Sequence, residues 1–130
     1  IKLIEGNDVT IAATGHLVWE SIEAAKILNQ SGISAEVINI HTIKPLDEKI
    51  ILESVSKTKC IVSAEEHNYL GGLGESISRV LSKNMPLPQE FVATKDTFGE
   101  SGTPAQLMKK YGLNSDSIVE KVKKVISRKL

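Results

Sequence analysis

Short apolar runs alternate along the chain with longer segments in which apolar residues recur at helical spacing. The runs at 9–13, 35–40, 59–63 and 90–94 have the length and composition of buried β-strands. The segments between them predict amphipathic helices with one buried face each. The predicted buried faces are Leu17, Val18, Ile22, Ala25 and Leu28; Ile50, Ile51, Ser54 and Val55; Leu73, Ile77, Val80 and Leu81; and Ile118, Val119, Val122, Val125 and Ile126.

Local signals mark where these helices begin and end. Gly32 accepts the left-handed backbone that closes a helix, and Asp47 is suited to cap the next one. The segment 103–106 reads Thr-Pro-Ala-Gln, which predicts a further helix that Gly112 closes. Ser115 is expected to cap the last helix.

The predicted order is β-α-β-α-β-α-β-α-α. Short strands separated by helices favour a mostly parallel sheet covered on both faces, which predicts a three-layer α/β/α domain with right-handed crossovers. A chain of 130 residues has the usual length of one domain, so we expect residues 1–130 to form a single domain. Because the sequence opens at Ile1 and the first element follows almost at once, we expect it to be part of a longer polypeptide.

Composition and charge narrow the function classes. The chain is 41% hydrophobic and 25% charged, and its 16 Lys and Arg balance 16 Asp and Glu. Zero net charge gives no field that would attract nucleic acid or an anionic membrane. No apolar run approaches the roughly 18 residues of a membrane span, and Glu5 lies where a signal peptide would be apolar. We therefore expect a cytoplasmic protein.

Several familiar binding patterns do not fit. Dinucleotide binding needs three spaced glycines after a strand, and the turn after the first predicted strand has only Gly15. A second candidate for this fingerprint starts at Gly72, but Ile77 stands where it would need a small residue. His16 and His41 have no His or Cys four residues on, so a metal site is not indicated. Cys60, the single cysteine, lies in an apolar run, and we expect it to be a buried thiol.

The most suggestive segment is 63–75, which follows the third predicted strand. Ligands of open α/β sheets bind at the carboxyl ends of strands, where His16 also lies. Catalysis by this segment is one interpretation and a solvated loop is another, but glycines that permit close backbone approach favour a contact with another domain or subunit. Trp19, the only tryptophan, is expected to be partly exposed or at an interface. The candidate interface residues are Glu65, Glu66, His67, Tyr69, Gly71, Gly72, Gly74 and His16.

Taken together, four motifs in order resemble the C-terminal domain of transketolases. The similarity covers nearly the whole chain, and the short form is most similar to split transketolases, which are encoded as separate N- and C-terminal sections. The motifs are Gly6-Asn7-Asp8-Val9-Thr10-Ile11-Ala12-Ala13-Thr14-Gly15; Ile43-Lys44-Pro45-Leu46-Asp47; Glu65-Glu66-His67 with Gly71-Gly72-Leu73-Gly74; and Phe98-Gly99-Glu100-Ser101-Gly102 with Leu107 and Tyr111-Gly112-Leu113.

The resemblance implies a Rossmann-like domain of an enzyme whose chemistry lies elsewhere. In that family thiamine diphosphate and Mg²⁺ lie between two other domains, and the third packs against them and supports a homodimer. The complete enzyme transfers a two-carbon ketol unit between sugar phosphates in the pentose phosphate pathway. No Gly-Asp-Gly followed by a distant Asn occurs here, so we expect no catalytic, cofactor-binding or metal residue in this chain, and no activity from it alone.

Alternative assignments remain open on the sequence. The same resemblance extends to the C-terminal domains of 2-oxoacid dehydrogenase E1 beta subunits and of 1-deoxyxylulose-5-phosphate synthase. A second class is a regulatory module that holds a small anion at helix N-termini near 14–16 and 65–74. A third is a purely structural dimerisation domain.

Overall fold

The structure, a computed structural model, describes residues 1–41, 43, 45–66, 72–93 and 114–130. Within these ranges it contains five strands and four helices. The strands are β1 (Lys2–Ile4), β2 (Val9–Ala13), β3 (Ala35–Asn39), β4 (Ile61–Ala64) and β5 (Gln89–Val92). The helices are α1 (Leu17–Gln30), α2 (Glu48–Thr58), α3 (Leu73–Asn84) and α4 (Ser115–Ser127).

The five strands form one sheet in the order β1-β3-β2-β4-β5. The last four are mutually parallel, with Ile11 of β2 opposite Val37 of β3 and Val62 of β4. β1 runs antiparallel to β3 at the edge. The prediction of an α/β fold with a mostly parallel sheet is confirmed, and β1 is an addition that the hydrophobic pattern did not indicate.

Helices cover both faces of the sheet. The core on one face joins α1 and α4 to the sheet and includes Ile11, Leu28 and Ile118. The core on the other face joins α2 and α3 and includes Ala12 and Ile51. Successive residues of β2 thus enter opposite cores, as the two-residue period of a strand requires. The three predicted layers are present.

Most of the predicted helix boundaries hold, but two local predictions were wrong. Asp47 caps α2 by accepting a hydrogen bond from the Ile50 backbone N–H at 3.2 Å. The cap of α4 is Asn114 rather than Ser115, because the Asn114 side chain accepts from the Ser117 N–H at 3.0 Å. The strand predicted at 59–63 begins at Ile61, since Lys59 ends α2 in the left-handed conformation.

Two further predictions have a different outcome. The strand predicted at 90–94 is observed as β5, which begins one residue earlier, at Gln89, and ends at Val92. The helix predicted from 103 to 112 lies outside the described residues.

Cys60 is buried, as predicted. Its Sγ lies 3.4 Å from the Asp8 carbonyl oxygen, to which the thiol donates. Burial raises the pKa of the Cys60 thiol to about 11. The thiol therefore stays protonated near neutral pH, and a thiol in that state is a poor nucleophile.

A buried polar network lies towards the amino-terminal ends of the parallel strands. Glu36 on β3 accepts hydrogen bonds from the Lys57 Nζ at 2.6 Å, the Ser54 Oγ at 2.6 Å and the Gly6 N–H at 3.2 Å. Ser54 Oγ also lies 2.6 Å from Thr10 Oγ1 on β2. Because these groups satisfy one another, the network fastens α2 and the β1–β2 connection to the centre of the sheet.

Candidate functional site

The candidate site lies where β2 and β4 end side by side. β2 and β4 are neighbours in the sheet, and α1, which follows β2, packs on the opposite face from α3, which follows β4. Connections that leave in opposite directions open a crevice at the carboxyl ends of such strands, which is where open α/β sheets bind ligands. Here 14–16 follows β2, 65–66 follows β4, and the Thr14 N–H donates to the Ala64 carbonyl at 3.1 Å.

Glu65 is a buried carboxylate that caps α3. Its Oε1 accepts from the Leu73 N–H at 2.9 Å and its Oε2 accepts from the Gly74 N–H at 2.7 Å. Its own N–H donates to the Val92 carbonyl on β5 at 2.9 Å. A carboxylate in this place satisfies backbone donors that the helix cannot satisfy itself, and it complements the positive end of the helix dipole.

Glu66 turns the other way and caps α1. Its Oε1 accepts from the His16 N–H at 2.8 Å, at a helix start where the cap residue makes no side-chain hydrogen bond. Gly15, with a φ of +58°, lets the chain turn beneath this carboxylate. The structure thus brings Glu65, Glu66 and His16 to one edge, with the two adjacent carboxylates serving different helices.

This arrangement bears on which ligands the edge can hold. Three backbone N–H groups that could bind a phosphate already bind carboxylates: that of His16 at the start of α1 binds Glu66, and those of Leu73 and Gly74 at the start of α3 bind Glu65. An incoming anion would meet negative charge there, so these groups do not fit a diphosphate. Within the described ranges, no group of three or more His, Cys, Asp or Glu side chains is placed to hold a metal ion.

Gly74 is the point of closest approach between α3 and the sheet. A Cβ added at Gly74 would lie 2.5 Å from Cε2 of Phe91 and 2.8 Å from Oγ of Ser63. The Gly74 carbonyl accepts a hydrogen bond from the Gln89 side chain at 2.9 Å, which fixes the helix against β5. Gly72 precedes α3 with a φ of −88°, a conformation open to any residue.

Replacing Gly74 by alanine is expected to lower the free energy of unfolding by about 2 kcal/mol, because the added methyl group overpacks a filled contact with Phe91. Urea denaturation followed by circular dichroism measures the change. Ser82→Ala, at an exposed position of the same helix, is the control and should change the free energy by less than about 0.5 kcal/mol. If the two variants had equal free energies of unfolding, α3 would be able to move away from Phe91 without loss of stability.

The sequence pattern found Glu65 and Glu66 but not their roles as helix caps. Glu65 precedes Leu73 by eight residues, so no capping box could have revealed the contact. His67, Tyr69 and Gly71 lie outside the described residues, and their place at an interface stays a prediction. So does the interface role of Gly72, Gly74 and His16. Each described helix is too short or too polar to traverse a lipid bilayer.

Comparison with known proteins identifies clear relatives. The model of the family described as "Transketolase, C-terminal domain" matches residues 2–118. Among solved structures, a split-gene transketolase described as an inactive β4 tetramer matches with a TM-score of 0.96 and 42% sequence identity. The match covers 100% of this chain and 43% of that chain.

Curated relatives give the same result. The chain is 45% identical over 127 residues to a 6-deoxy-6-sulfo-D-fructose transketolase subunit of Clostridium sp., covering 98% of this chain and 39% of that protein. It is 34% identical to an apulose-4-phosphate transketolase subunit of Phocaeicola vulgatus, over 89% of this chain and 37% of that protein. It is 39% identical to the 1-deoxy-D-xylulose-5-phosphate synthase of Caldanaerobacter subterraneus, over 92% of this chain and 20% of that protein. The chain spans about two fifths, or less, of the length of these relatives.

Proposed function

Because the chain belongs to the transketolase C-terminal domain family, we propose that it serves an enzyme which transfers a two-carbon ketol unit between sugar phosphates. In that enzyme it packs against the other domains and supports their assembly into a dimer. Residues 1–130 act as one domain of this larger enzyme. In this proposal the enzyme is cytoplasmic and acts in the pentose phosphate pathway.

The observation that carries this proposal is the pair of carboxylate caps at the carboxyl ends of β2 and β4. Glu66 and Glu65 occupy the N-termini of α1 and α3, where α/β domains of similar topology place anionic ligands. A domain that uses its own carboxylates there is built for rigidity rather than for sugar phosphate binding. The same contacts speak against the alternative of a module that binds a small regulatory anion.

The cofactor and the chemistry belong to the rest of the enzyme in this proposal. Transketolases and 1-deoxyxylulose-5-phosphate synthases use thiamine diphosphate with Mg²⁺, and the carboxylate-capped starts of α1 and α3 in this chain do not fit a diphosphate. The relative of known structure supports the view that this section is inactive alone, since that protein is described as an inactive β4 tetramer. The proposed partner is therefore the polypeptide, joined or separate, that carries the N-terminal section.

A second candidate keeps the same role but changes the enzyme. The identity of 39% to a 1-deoxy-D-xylulose-5-phosphate synthase, over 92% of this chain, supports that enzyme as the second candidate. The reconstituted enzyme separates the two candidates, because it would form 1-deoxyxylulose 5-phosphate in one case and transfer ketol units between sugar phosphates in the other.

Calorimetric titration with thiamine diphosphate and Mg²⁺ tests the proposal. We expect no binding heat from this chain alone, and binding with ketol transfer once it is combined with the polypeptide that supplies the remaining transketolase sequence. Omission of this chain from the mixture is the control, and it should reduce assembly and turnover. Tight binding of thiamine diphosphate by this chain alone would place a cofactor site within it and overturn the proposal.

A further inference from the structure

An apolar groove of about 750 Å³ opens beside the candidate edge. It runs between the first turns of α1, the carboxyl end of β3 and the edge strand β1. Among its described lining residues, none carries a carboxylate, an ammonium or a guanidinium group. Its apolar side chains are Leu3, Val18, Trp19, Ile22, Ile40 and Ile43.

Two of the five large apolar side chains that are exposed among the described residues line this groove. Trp19 is 69% exposed and Leu3 is 43% exposed, and both line it. Ile1, which is 66% exposed, lines a smaller neighbouring groove of about 240 Å³. Clustered exposed apolar residues mark protein interfaces, and tryptophan is among the residues that most often dominate the binding energy.

The first residue of the chain is hydrogen-bonded to a residue that lines both grooves. The Asn39 N–H donates to the Ile1 carbonyl at 2.8 Å, and Asn39 lines both grooves. The matched relatives are more than twice as long as this chain. In an enzyme that carries this chain as its C-terminal domain, the preceding polypeptide joins it beside Asn39, and therefore beside both grooves.

We infer that the groove at Trp19 is the docking surface for an apolar face of the domain that precedes this one in the complete enzyme. The inference rests on the proposed function, and it adds which surface makes the contact and that Trp19 is its main contact residue. The mostly apolar lining suits a protein surface and offers a sugar phosphate no lysine or arginine. Its polar side chains are Thr14, Asn39 and His41. Gly15 belongs both to the groove and to the turn beneath Glu66, so the docking surface continues into the candidate edge.

Trp19 provides its own reporter, because it is the only tryptophan in the chain. The chain is labelled with 5-fluorotryptophan and titrated with the unlabelled polypeptide that carries the preceding sequence of the same enzyme. The ¹⁹F signal should shift on binding, and Trp19→Ala should weaken binding by at least about 30-fold. The matched control is Ile27→Ala, on the same helix and 37% exposed but not part of the groove, which should stay within about twofold.

The outcomes separate the groove from the proposed function. If the polypeptide binds but the ¹⁹F signal stays unchanged and Trp19→Ala binds as tightly as the parent chain, the groove is not the docking surface and the proposed function stands. If the unmodified chain does not bind that polypeptide at all, the proposed function fails and the inference fails with it. A ¹⁹F shift that follows the concentration of this chain alone would assign the groove to a second copy and overturn the inference.

Discussion

Replacing Glu36 by alanine is expected to lower the free energy of unfolding by about 3 kcal/mol. The carboxylate is buried and accepts from Lys57, Ser54 and the Gly6 N–H at 2.6, 2.6 and 3.2 Å. Its removal leaves the buried Gly6 N–H without this acceptor and takes the charged partner from Lys57 and Ser54. A buried donor left unsatisfied costs more than its hydrogen bond contributed. Chemical denaturation at pH 7 measures the loss.

A matched control for Glu36 lies on α2. Glu53 is an exposed carboxylate paired with Lys49 at 3.9 Å. Such surface pairs contribute little, so Glu53→Ala should change the free energy of unfolding by less than about 0.5 kcal/mol. Comparable small losses in Glu36→Ala and Glu53→Ala would show that water enters and solvates the network.

The same network predicts how stability depends on pH. Burial by itself raises the pKa of Glu36, but hydrogen bonds from Lys57, Ser54 and Gly6 outweigh it and hold the pKa below the ordinary value of 4.5. A carboxyl whose pKa is lowered on folding stabilises the protein above its unfolded pKa, and that stability is lost as the pH falls through the folded pKa. The stability gap between the parent chain and Glu36→Gln should therefore be widest near neutral pH and narrow in acid. A gap that does not change with pH would contradict the assignment.

Replacing Glu65 by alanine is expected to destabilise the protein by about 3 kcal/mol and to loosen α3 in particular. The Glu65 carboxylate receives the backbone N–H groups of Leu73 and Gly74 at 2.9 and 2.7 Å in a buried position. Charge-assisted bonds of this kind are stronger than neutral ones, and two buried donors would lose their acceptor. Hydrogen exchange should show reduced protection of amides along 73–84, together with the lower free energy of unfolding.

The control for Glu65 is a carboxylate at the start of another helix. Glu48 lies in the first turn of α2 and is exposed, so Glu48→Ala should cost less than about 1 kcal/mol and leave the exchange of α3 unchanged. If Glu65→Ala lost stability without a local change in α3, the loss would come from elsewhere than the cap. Since the candidate edge is formed by these caps, the variant also tests how rigid that edge must be for assembly.

The sequence predicted the four parallel strands because each carries its own signal. Val9–Ala13 and Ile61–Ala64 are mostly apolar and are buried along their whole length, as strands covered on both faces must be. Asp47 and Gly32 are also local signals, since each acts on a backbone group within a few residues. Side-chain period and capping chemistry are readable without knowledge of the fold.

The edge strand was hard to predict. β1 has only three residues and gains its hydrogen bonds from β3, so no hydrophobic period could show it.

The exact ends of helices were also hard to predict. Ser115 and Asn114 are both good caps, and the choice depends on where the backbone leaves the helical conformation. Lys59 ends α2 with positive φ although it is not glycine, and sequence gives little sign of such a residue.

By itself, the sequence determined the fold class and the order of the four parallel strands, and it placed Glu65 and Glu66 at the carboxyl end of the third predicted strand. Only the tertiary structure decided that Glu66 serves α1, fifty residues away along the chain, while Glu65 serves α3. It also decided that Leu3 and Trp19 share one groove. The reason is physical: strand and helix periods arise from neighbours along the chain, whereas a cap from another loop or a shared groove exists only after the sheet has assembled.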